Sequence, residues 1–290
     1  MSWSTGSWDV HVHADPSLFP RWGDAWSLAD ACRQSQMAGI VVKSHHGSTV
    51  ELASILNTRF KGLTVLGGIT LNRFVGGLNP YAVEAAIALG GRLVWLPTLH
   101  AVHHGETCGG LGGFGFQKGA VKRVPSEGLS ILEDGRLRSG VCEIMEVIQG
   151  AGQRVVLATG HISSKEVAAL VEHRDRSGYD FPILVNHVLF HTPSMTVEQI
   201  AQLSRDNVWF ETVQLCISDL VQATDAHTVA HTIQSTPRAR WVLATDSGQS
   251  ANLPCPEALH FYAEALRKVG LSEEKLESML RDEPRALLGL

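Results

Sequence analysis

Two histidines near the beginning of the chain, His11 and His13, have the spacing needed to bind one metal ion together. Residues two apart on a β-strand project from the same face, so both imidazoles would point the same way. Such a pair at the end of a strand can supply two metal ligands. Val10 and Val12 are expected to pack outward against helices. The pair alone is weak evidence, because this spacing is common by chance.

Three further polar residues stand at the ends of later apolar runs. They are His161, His187 and Asp246. If these runs are parallel strands of one barrel, all of these side chains converge on the mouth at the carboxyl ends of the strands. Barrel enzymes have their active sites there. The combined pattern therefore predicts a metal site rather than a set of unrelated core histidines.

The elements that would position these residues alternate along the chain. Eight apolar runs are predicted as strands: 8–13, 39–43, 64–69, 93–97, 154–159, 182–187, 208–212 and 240–245. Amphipathic stretches predict helices at 25–38, 80–89, 165–174, 196–203, 224–233 and 257–269. This alternation indicates parallel βαβ units. An open doubly wound sheet also fits, but the strand count and the site pattern favour an α/β fold with a closed (β/α)8 TIM barrel.

One segment interrupts the alternation after the fourth predicted strand. Residues 100–140 are glycine-rich, and Gly128-Leu-Ser-Ile-Leu-Glu-Asp-Gly-Arg-Leu reads as a hairpin. Long insertions in barrel enzymes often cover the catalytic face, so a lid is one interpretation and a surface loop the other. Since the first predicted strand starts at residue 8, we expect one domain over residues 1–290 with this lid-like insertion.

Composition argues against several kinds of partner. The chain of 290 residues has a net charge of −5 and lacks the clustered Lys and Arg that a nucleic-acid partner requires. No apolar run could span a bilayer, and the N-terminus has no signal-peptide pattern, so no membrane association is expected. Five scattered cysteines suggest reduced thiols and a cytoplasmic location. We expect a small-molecule substrate, and homo-oligomerisation stays open.

The order of these site residues resembles that of the amidohydrolase superfamily of metal-dependent hydrolases. The shared features are HxH on the first strand, a histidine after the fifth, a histidine at the sixth and an aspartate at the eighth. The closing segment Asp282-Glu-Pro-Arg-Ala-Leu-Leu-Gly-Leu290 is similar to the "NPA-x-LLGL" helix that ends many members. Compact phosphotriesterase-like and decarboxylase-like members, without a flanking β-sandwich, are closest in layout. The resemblance implies that the metal ligands are His11, His13, His161, His187 and Asp246.

The chain departs from the phosphotriesterase-like pattern in the position of its lysine. The fourth predicted strand has no lysine or glutamate, whereas the second carries Lys43. An ammonium about 4 Å from a divalent ion, at an effective dielectric near 20, is repelled by roughly 8 kcal/mol. Lys43 must therefore be carbamylated and bridge two metals, be neutral, or point towards a substrate anion; a structural role is the remaining alternative.

Other histidines are assigned to lesser roles. His45 shares a strand face with Lys43 and is expected to contact the substrate or serve as a ligand. His100 is a second-line candidate for substrate binding. His103 and His104 are interpreted as loop histidines. Side chains that could fix the imidazole tautomers are Thr159, Asn186, Thr245 and Ser247.

The chemistry predicted for this site is metal-assisted hydrolysis. Zinc lowers the pKa of bound water from about 15.7 to about 7, and the resulting hydroxide would attack a carbonyl or phosphoryl centre. Asp246 would accept the water's proton and pass it to the leaving group. One or two ions fit, with zinc expected first and manganese or iron as alternatives. A single ion would use His11, His13, His161 and Asp246, leaving His187 to orient substrate or water.

The reaction is open among several classes. Hydrolysis of a C–N or C–O bond in an amide, lactone or cyclic imide is favoured. Phosphoester hydrolysis would need a basic mouth, for which the candidates are Lys43, Arg73, Lys118 and Lys122. A metal-dependent decarboxylase or lyase on the same scaffold is the third alternative, and a non-catalytic metal-binding barrel is the last.

Overall fold

A computed structural model describes residues 2–115 and 119–290 of the chain. Lys118, one of the basic candidates, lies outside the described residues. The strands are β1 Trp8–Val12, β2 Gly39–Val42, β3 Thr64–Leu66, β4 Gly68–Thr70, β5 Leu93–Trp95, β6 Leu132–Glu133, β7 Arg136–Leu137, β8 Val156–Ala158, β9 Ile183–Val185, β10 Val208–Val213 and β11 Arg240–Ala244. All eight predicted strands are confirmed, and the third is divided into β3 and β4.

Helices separate most of these strands. They are α1 Ala25–Gln34, α2 Val50–Arg59, α3 Pro80–Ala88, α4 Val102–Thr107, α5 Ser139–Gln149, α6 Ser164–Arg176, α7 Val197–Leu203, α8 Ala226–Ser235, α9 Cys255–Lys268, α10 Glu273–Glu277 and α11 Glu283–Leu288. A π-helical segment, Ser278–Asp282, joins the last two. The predicted helices are confirmed in position, whereas α2, α4, α5 and α10 were not predicted. None of the described helices has both the length and the hydrophobicity needed to cross a bilayer.

The large strands form two parallel sheets, ordered β1-β2-β3 and β11-β10-β9-β8-β5-β4. The break falls at Gly67, between β3 and β4. A side chain at Gly67 would come within 2.5 Å of the backbone oxygen of Thr49, so this close approach requires glycine. The structure is therefore an α/β fold built on parallel strands, with the third predicted strand shared between the two sheets.

The ends of β1 and β11 meet through their backbones. Asp246 N–H donates to His11 O at 2.9 Å, and His13 N–H donates to Ser247 O at 2.8 Å. Gly248 follows immediately, and a side chain there would come within 2.4 Å of His13 O. These contacts fix the two predicted metal-ligand segments, residues 11–13 and 246, against each other.

The strands are buried on both faces. One face packs against the helices, and the other forms a second apolar cluster that includes Val10, Trp95, Leu184, Trp209 and Val242. Burying each large apolar side chain contributes about 1.5–3 kcal/mol. The outward direction expected for Val10 is therefore wrong, although Val12 does pack on the helix side.

The reason is an irregularity in β1. Asp9 pairs with Ile40 and Val12 with Val42, so three steps along β1 match only two along β2. One extra residue in β1 forms a β-bulge, which shifts the alternation of side chains between the two faces. Because of this bulge, Val10 and His11 do not follow the simple alternation that the sequence suggested.

The segment after β5 is partly ordered by its own short elements. Strands β6 and β7 form the predicted hairpin, with Asp134 and Gly135 at positive φ as a two-residue turn requires. Glu166 of α6 accepts hydrogen bonds from Ser130 Oγ at 2.7 Å and Ile131 N–H at 3.0 Å. The hairpin is thus tied to α6, and a lid function for residues 100–140 stays a prediction.

Candidate metal centre

His11 and His13 of β1 meet Asp246, which follows β11. Their Nε2 atoms lie 3.3 and 3.2 Å from Asp246 Oδ1. The three side chains offer ligand atoms that all lie within 4.8 Å of one another. Two ligand atoms that each lie about 2.05 Å from one tetrahedral ion are separated by about 3.3 Å, so the observed spacing suits a shared ion.

The tautomer of His11 is fixed by Glu211, a buried residue of β10. His11 Nδ1 lies 3.0 Å from Glu211 Oε2. That oxygen also accepts from Asn186 Nδ2 and from His187 N–H, each at 3.0 Å, so it acts as an acceptor and His11 Nδ1 carries the proton. Burial raises the pKa of Glu211, while His187 and the Asn186 hydrogen bond lower it.

It follows that His11 Nε2 presents a lone pair to Asp246. Burial lowers the pKa of His11 to about 3, so the ring is neutral at neutral pH. A lone pair on Nε2 and a carboxylate oxygen are both acceptors, yet they face each other at 3.3 Å. Two acceptors at this distance repel each other unless a proton or a cation lies between them.

Lys43 places one cation beside this contact, at His11. Its Nζ lies 3.0 Å from His11 Nε2, and its side chain is only 2% exposed. Burial lowers the pKa of Lys43 to about 8, while Asp246 and Glu211 oppose that shift. The ammonium therefore contacts the same nitrogen that would bind a metal, so an ion at His11 requires Lys43 to move or to lose its charge.

His187 is oriented in the same way as His11. It follows β9, and its Nδ1 lies 2.7 Å from Thr192 O, a carbonyl that can only accept. Nδ1 therefore carries the proton and Nε2 has the lone pair. Burial lowers the pKa of His187 to about 4, so this ring too is neutral.

His161 is oriented through a second histidine. His104 of α4 lies with Nε2 2.7 Å from Gly113 O, so Nε2 donates and Nδ1 is left as an acceptor. His161 Nδ1 lies 2.8 Å from that Nδ1 and donates its proton to it. Its Nε2 lone pair is thereby available. The loop interpretation of His104 is wrong, because the residue is fully buried and positions a predicted ligand.

These imidazoles surround one small cavity, which we call the histidine pocket. It contains about 360 Å³ of non-protein space. Its lining residues are His13, Arg21, His45, Phe114, His161, His187, Phe190, Leu215, Asp246 and Gln249. His45 stacks on His13 with ring centroids 4.8 Å apart, and His161 lies 5.1 Å from His187. His161 and His187 thus face the same space without joining the close cluster of three.

His100 lies elsewhere. It lines a larger cavity, the His100 groove, together with Arg73, Phe74, Val121, Arg123, Val124, Pro125, Ser126 and Glu127. Its Nδ1 accepts from Arg73 N–H at 3.0 Å, and its ring packs at a tilt against Phe74, with ring centroids 4.7 Å apart. The structure therefore separates His100 from the other predicted site residues.

The tautomers are not fixed by the side chains that the sequence suggested. Thr159 and Asn186 bond each other, Asn186 also bonds Glu211, and Thr245 bonds Asp9. The structure gives none of them, nor Ser247, a side-chain hydrogen bond to an imidazole among the described residues. Glu211, Thr192 O and His104 hold the imidazole rings instead.

Two residues important for the site, Glu211 and Arg21, were not singled out in the sequence, and a third, His104, was interpreted only as a loop histidine. Glu211 could have been found as a lone carboxylate in the apolar run of β10, because a buried charge needs a specific partner. Arg21 and His104 come from the β1–α1 connection and from the segment after β5. Their sequence surroundings carry no comparable signal.

The backbone at two site residues is strained. Asp246 and His187 have φ angles of 51° and 27°, in the left-handed region that L-residues rarely adopt. Such conformations often occur at functional sites, where the surrounding structure enforces them. Here the bonds of Asp246 N–H to His11 O and of His187 N–H to Glu211 hold both residues in place.

The donor set fits a divalent cation. Two neutral imidazoles and one carboxylate are ligands that zinc prefers, and manganese and iron also accept them. His11, His13 and Asp246 would hold the ion, with His161 and His187 facing it from across the histidine pocket. Glu211 would act behind His11, as the carboxylate partners of metal-binding histidines do.

Solved structures with this fold are known at low sequence identity. An amidohydrolase from Pseudomonas aeruginosa matches with a TM-score of 0.60 and 11% identity, over 99% of this chain and 96% of that one. N-isopropylammelide isopropylaminohydrolase from Burkholderia multivorans gives 0.58 and 11%, over 98% and 75%. A dipeptidase described as a metallopeptidase of family M19 gives 0.58 and 12%, over 98% of both chains. The likeness confirms the resemblance to the amidohydrolase superfamily at the level of the fold.

Sequence comparison gives a family without an assigned activity. No curated protein matches the sequence. A family model matches residues 6–211, a span that includes His11, Lys43, His187 and Glu211 and ends before Asp246. Since this match covers more than half of the chain, the protein belongs to DUF6282, a family of unknown function.

Proposed function

We propose that the protein is a metal-dependent hydrolase that cleaves a C–N or C–O bond in a small molecule such as an amide, lactone or cyclic imide. The observation that carries this proposal is the 3.3 Å contact between His11 Nε2, a nitrogen without a proton, and Asp246 Oδ1. A site with three close ligand atoms and neutral imidazoles favours a metal over protein bases acting alone. The low-identity structural neighbours support the fold of this proposal and leave its substrate open.

Five residues in and beside the histidine pocket have roles in this mechanism. A divalent ion held by His11, His13 and Asp246 would lower the pKa of a bound water to about 7 and polarise the substrate. The Asp246 carboxylate accepts the proton of the attacking water and returns it to the leaving nitrogen or oxygen. His161 and His187 offer Nε2 lone pairs to a substrate N–H or to a second ion.

Lys43 keeps two roles in this proposal. As a carbamate it would add an anionic ligand beside His11 and allow two ions. As an amine with its pKa lowered to about 8 by burial, it loses its proton more readily than an exposed lysine and so conflicts less with a neighbouring ion. In both roles the Lys43 nitrogen lies at the metal site, which agrees with its 3.0 Å distance from His11 Nε2.

We also propose that the strands form a closed barrel with the pocket at its mouth. The backbone bonds between residues 11–13 and 246–247 support closure between β11 and β1. The bond from His104 to Gly113 O supports a covering role for the segment after β5, because that segment reaches the pocket through His104 and His161.

Metal analysis combined with Asp246→Asn tests the function. Asparagine tolerates the positive φ of this position, so the backbone is expected to be retained while the charge is removed. We expect the wild-type protein to hold at least about one zinc or manganese ion per chain, and the variant to lose metal and about 10³-fold or more in turnover. Turnover is measured on a panel of amides, lactones, cyclic imides and phosphoesters.

His227→Ala, at an exposed position of α8, is the control and should leave metal content and turnover unchanged. Full turnover in metal-depleted protein would overturn the proposal. So would wild-type metal content in Asp246→Asn together with unchanged turnover. Selective turnover of phosphoesters would replace the C–N or C–O assignment.

A further inference from the structure

We propose that Arg21 forms an anion-binding subsite in the histidine pocket, so that the substrate carries a carboxylate beside the bond that is cleaved. This inference rests on the proposed function for the reaction, but its evidence comes from the arginine itself. Arg21 lines the same cavity as His13, His45 and Asp246. Among the described residues that line this cavity, Arg21 is the only lysine or arginine.

The β1–α1 connection holds Arg21 in place through its backbone. Arg21 forms an antiparallel bridge with Gln249, and Trp22 N–H donates to Gly248 O at 3.1 Å. Gln249 Nε2 in turn donates to Asp246 O at 2.8 Å. The position of Arg21 is therefore linked by backbone contacts to the same segment that positions the Asp246 carboxylate.

The guanidinium is mostly buried but has few partners. Its Nε donates to Ser17 Oγ at 3.0 Å, and its plane lies 5.8 Å from the Phe19 ring centre. Within residues 2–115 and 119–290, it forms no other side-chain hydrogen bond and no ion pair. The two terminal nitrogens thus keep donors available at the cavity.

The charge of Arg21 persists at neutral pH. Burial lowers its pKa to about 10, while the charges of Asp246 and Asp15 raise it. The subsite is therefore one fixed positive charge on the wall of the histidine pocket.

The chemistry of this charge favours a carboxylate. A planar guanidinium presents paired N–H donors that match the two oxygens of a carboxylate. A carboxylate carries one negative charge, and the nearby Asp246 carboxylate disfavours a dianionic phosphate more than a monoanionic carboxylate. The mostly buried lining limits the occupant to a small molecule, and Phe190 and Leu215 give part of the wall an apolar character.

Binding of benzoate, with benzamide and phenylphosphonate as comparison ligands, tests this proposal by calorimetry. The proteins are wild type, Arg21→Gln and Arg21→Lys, each zinc-loaded and chelator-treated, with circular dichroism to confirm folding. We expect wild type to bind benzoate more tightly than either other ligand, and Arg21→Gln to lose about tenfold or more in affinity in both metal states. Arg21→Lys should be intermediate because it keeps the charge without the planar fork.

Arg73→Gln, an exposed arginine of the His100 groove, is the matched control and should bind benzoate as wild type does. Unchanged benzoate affinity in Arg21→Gln would overturn the proposal, as would failure of wild type to bind benzoate. Benzamide binding as tight as that of benzoate would show that the subsite does not require a negative charge, which would overturn the proposal. Tighter binding of phenylphosphonate than of benzoate would overturn the carboxylate assignment.

The two proposals fail in different measurements. If the proposed function is wrong, the metal content or the turnover differs from the expected result. The benzoate affinity of chelator-treated protein still falls in Arg21→Gln. If the Arg21 subsite is wrong, Arg21→Gln leaves the benzoate affinity unchanged, while metal binding and the effect of Asp246→Asn are retained. A benzoate affinity that depends only on zinc would assign the anion to the ion and so reject Arg21.

Discussion

The histidine pocket and the His100 groove differ in the way they are built. The groove has about 1430 Å³ of non-protein space against about 360 Å³ for the pocket, yet most of its lining residues are exposed. In the pocket, buried imidazoles extend from or beside strand ends. His161 and His187, like the neighbouring His11, have a tautomer fixed by a defined partner. Asn72 connects the two regions, since it bonds His45 O and accepts from His100 N–H.

This contrast shows that defined polar partners, rather than volume, mark the reactive region. A loop-lined groove can change shape at little cost, so it holds few groups at fixed positions. The pocket has little room but fixes lone pairs, a carboxylate and a guanidinium against one another. Preorganisation of this kind is what lowers the barrier of a chemical step.

The largest effect among the supporting residues is expected for Glu211→Gln. The substitution preserves shape but removes the charge that holds the proton on His11 Nδ1, 3.0 Å away. We expect metal affinity to fall by about 10–100-fold, as for other carboxylate partners of metal-binding histidines. Competition with a chelating dye measures this affinity.

Glu283→Gln is the control at the other end of the strands, where Glu283 bonds Trp209 Nε1 and Arg240. It should reduce stability and leave metal affinity unchanged. Equal loss of metal affinity in both variants would show that the effect is general destabilisation. Unchanged metal affinity in Glu211→Gln would show that a defined polar partner of His11 does not mark the reactive region.

A smaller effect is expected for His104→Ala. Without His104 Nδ1, the proton of His161 Nδ1 loses its acceptor at 2.8 Å, and the ring is free to turn or change tautomer. We expect kcat/KM to fall by about tenfold, with a change of the His161 tautomer visible in nitrogen NMR.

The neighbouring His103 provides the matched comparison for His104. It is 20% exposed, and its 3.8 Å contact with Glu106 is a surface pair that contributes little. His103→Ala should therefore behave as wild type in both measurements. Identical kinetics for His104→Ala and His103→Ala, with an unaltered His161 spectrum, would contradict the proposed hydrogen-bond chain. In that chain Gly113 O orients His104, and His104 orients His161.

Much of the framework could be predicted from the sequence, because it depends on local periodicity. All eight apolar runs form strands, with the third divided into β3 and β4. The residues at their ends include His11, His13 and Asp246, which the structure brings together. The β-bulge in β1 could not be predicted, since it depends on pairing with β2. It is a property of two strands rather than of one run.

The partners of the imidazoles were equally hidden. Glu211 lies 200 residues from His11 along the chain, and His104 lies 57 residues from His161. No local pattern encodes such contacts, because they arise only when the strands and the segment after β5 have assembled. His100 was misleading for the opposite reason. It also follows a strand end, but its hydrogen bonds with Asn72 and with Arg73 N–H hold its side chain in the His100 groove.

The smallest effect on catalysis is expected for His100→Ala, which tests the groove directly. Removing the ring leaves Arg73 N–H without its acceptor and removes the packing against Phe74, so the free energy of unfolding should fall by about 1–3 kcal/mol. His100→Gln can restore an acceptor and should recover part of that loss. Because His100 lies outside the histidine pocket, kcat/KM should stay within about twofold of wild type for both variants, well below the roughly tenfold effect of a positioning residue. Denaturant unfolding and steady-state kinetics measure the two quantities separately. A fall in kcat/KM beyond about tenfold, with stability intact in His100→Gln, would mean that substrate extends into the groove and that the two cavities act as one site.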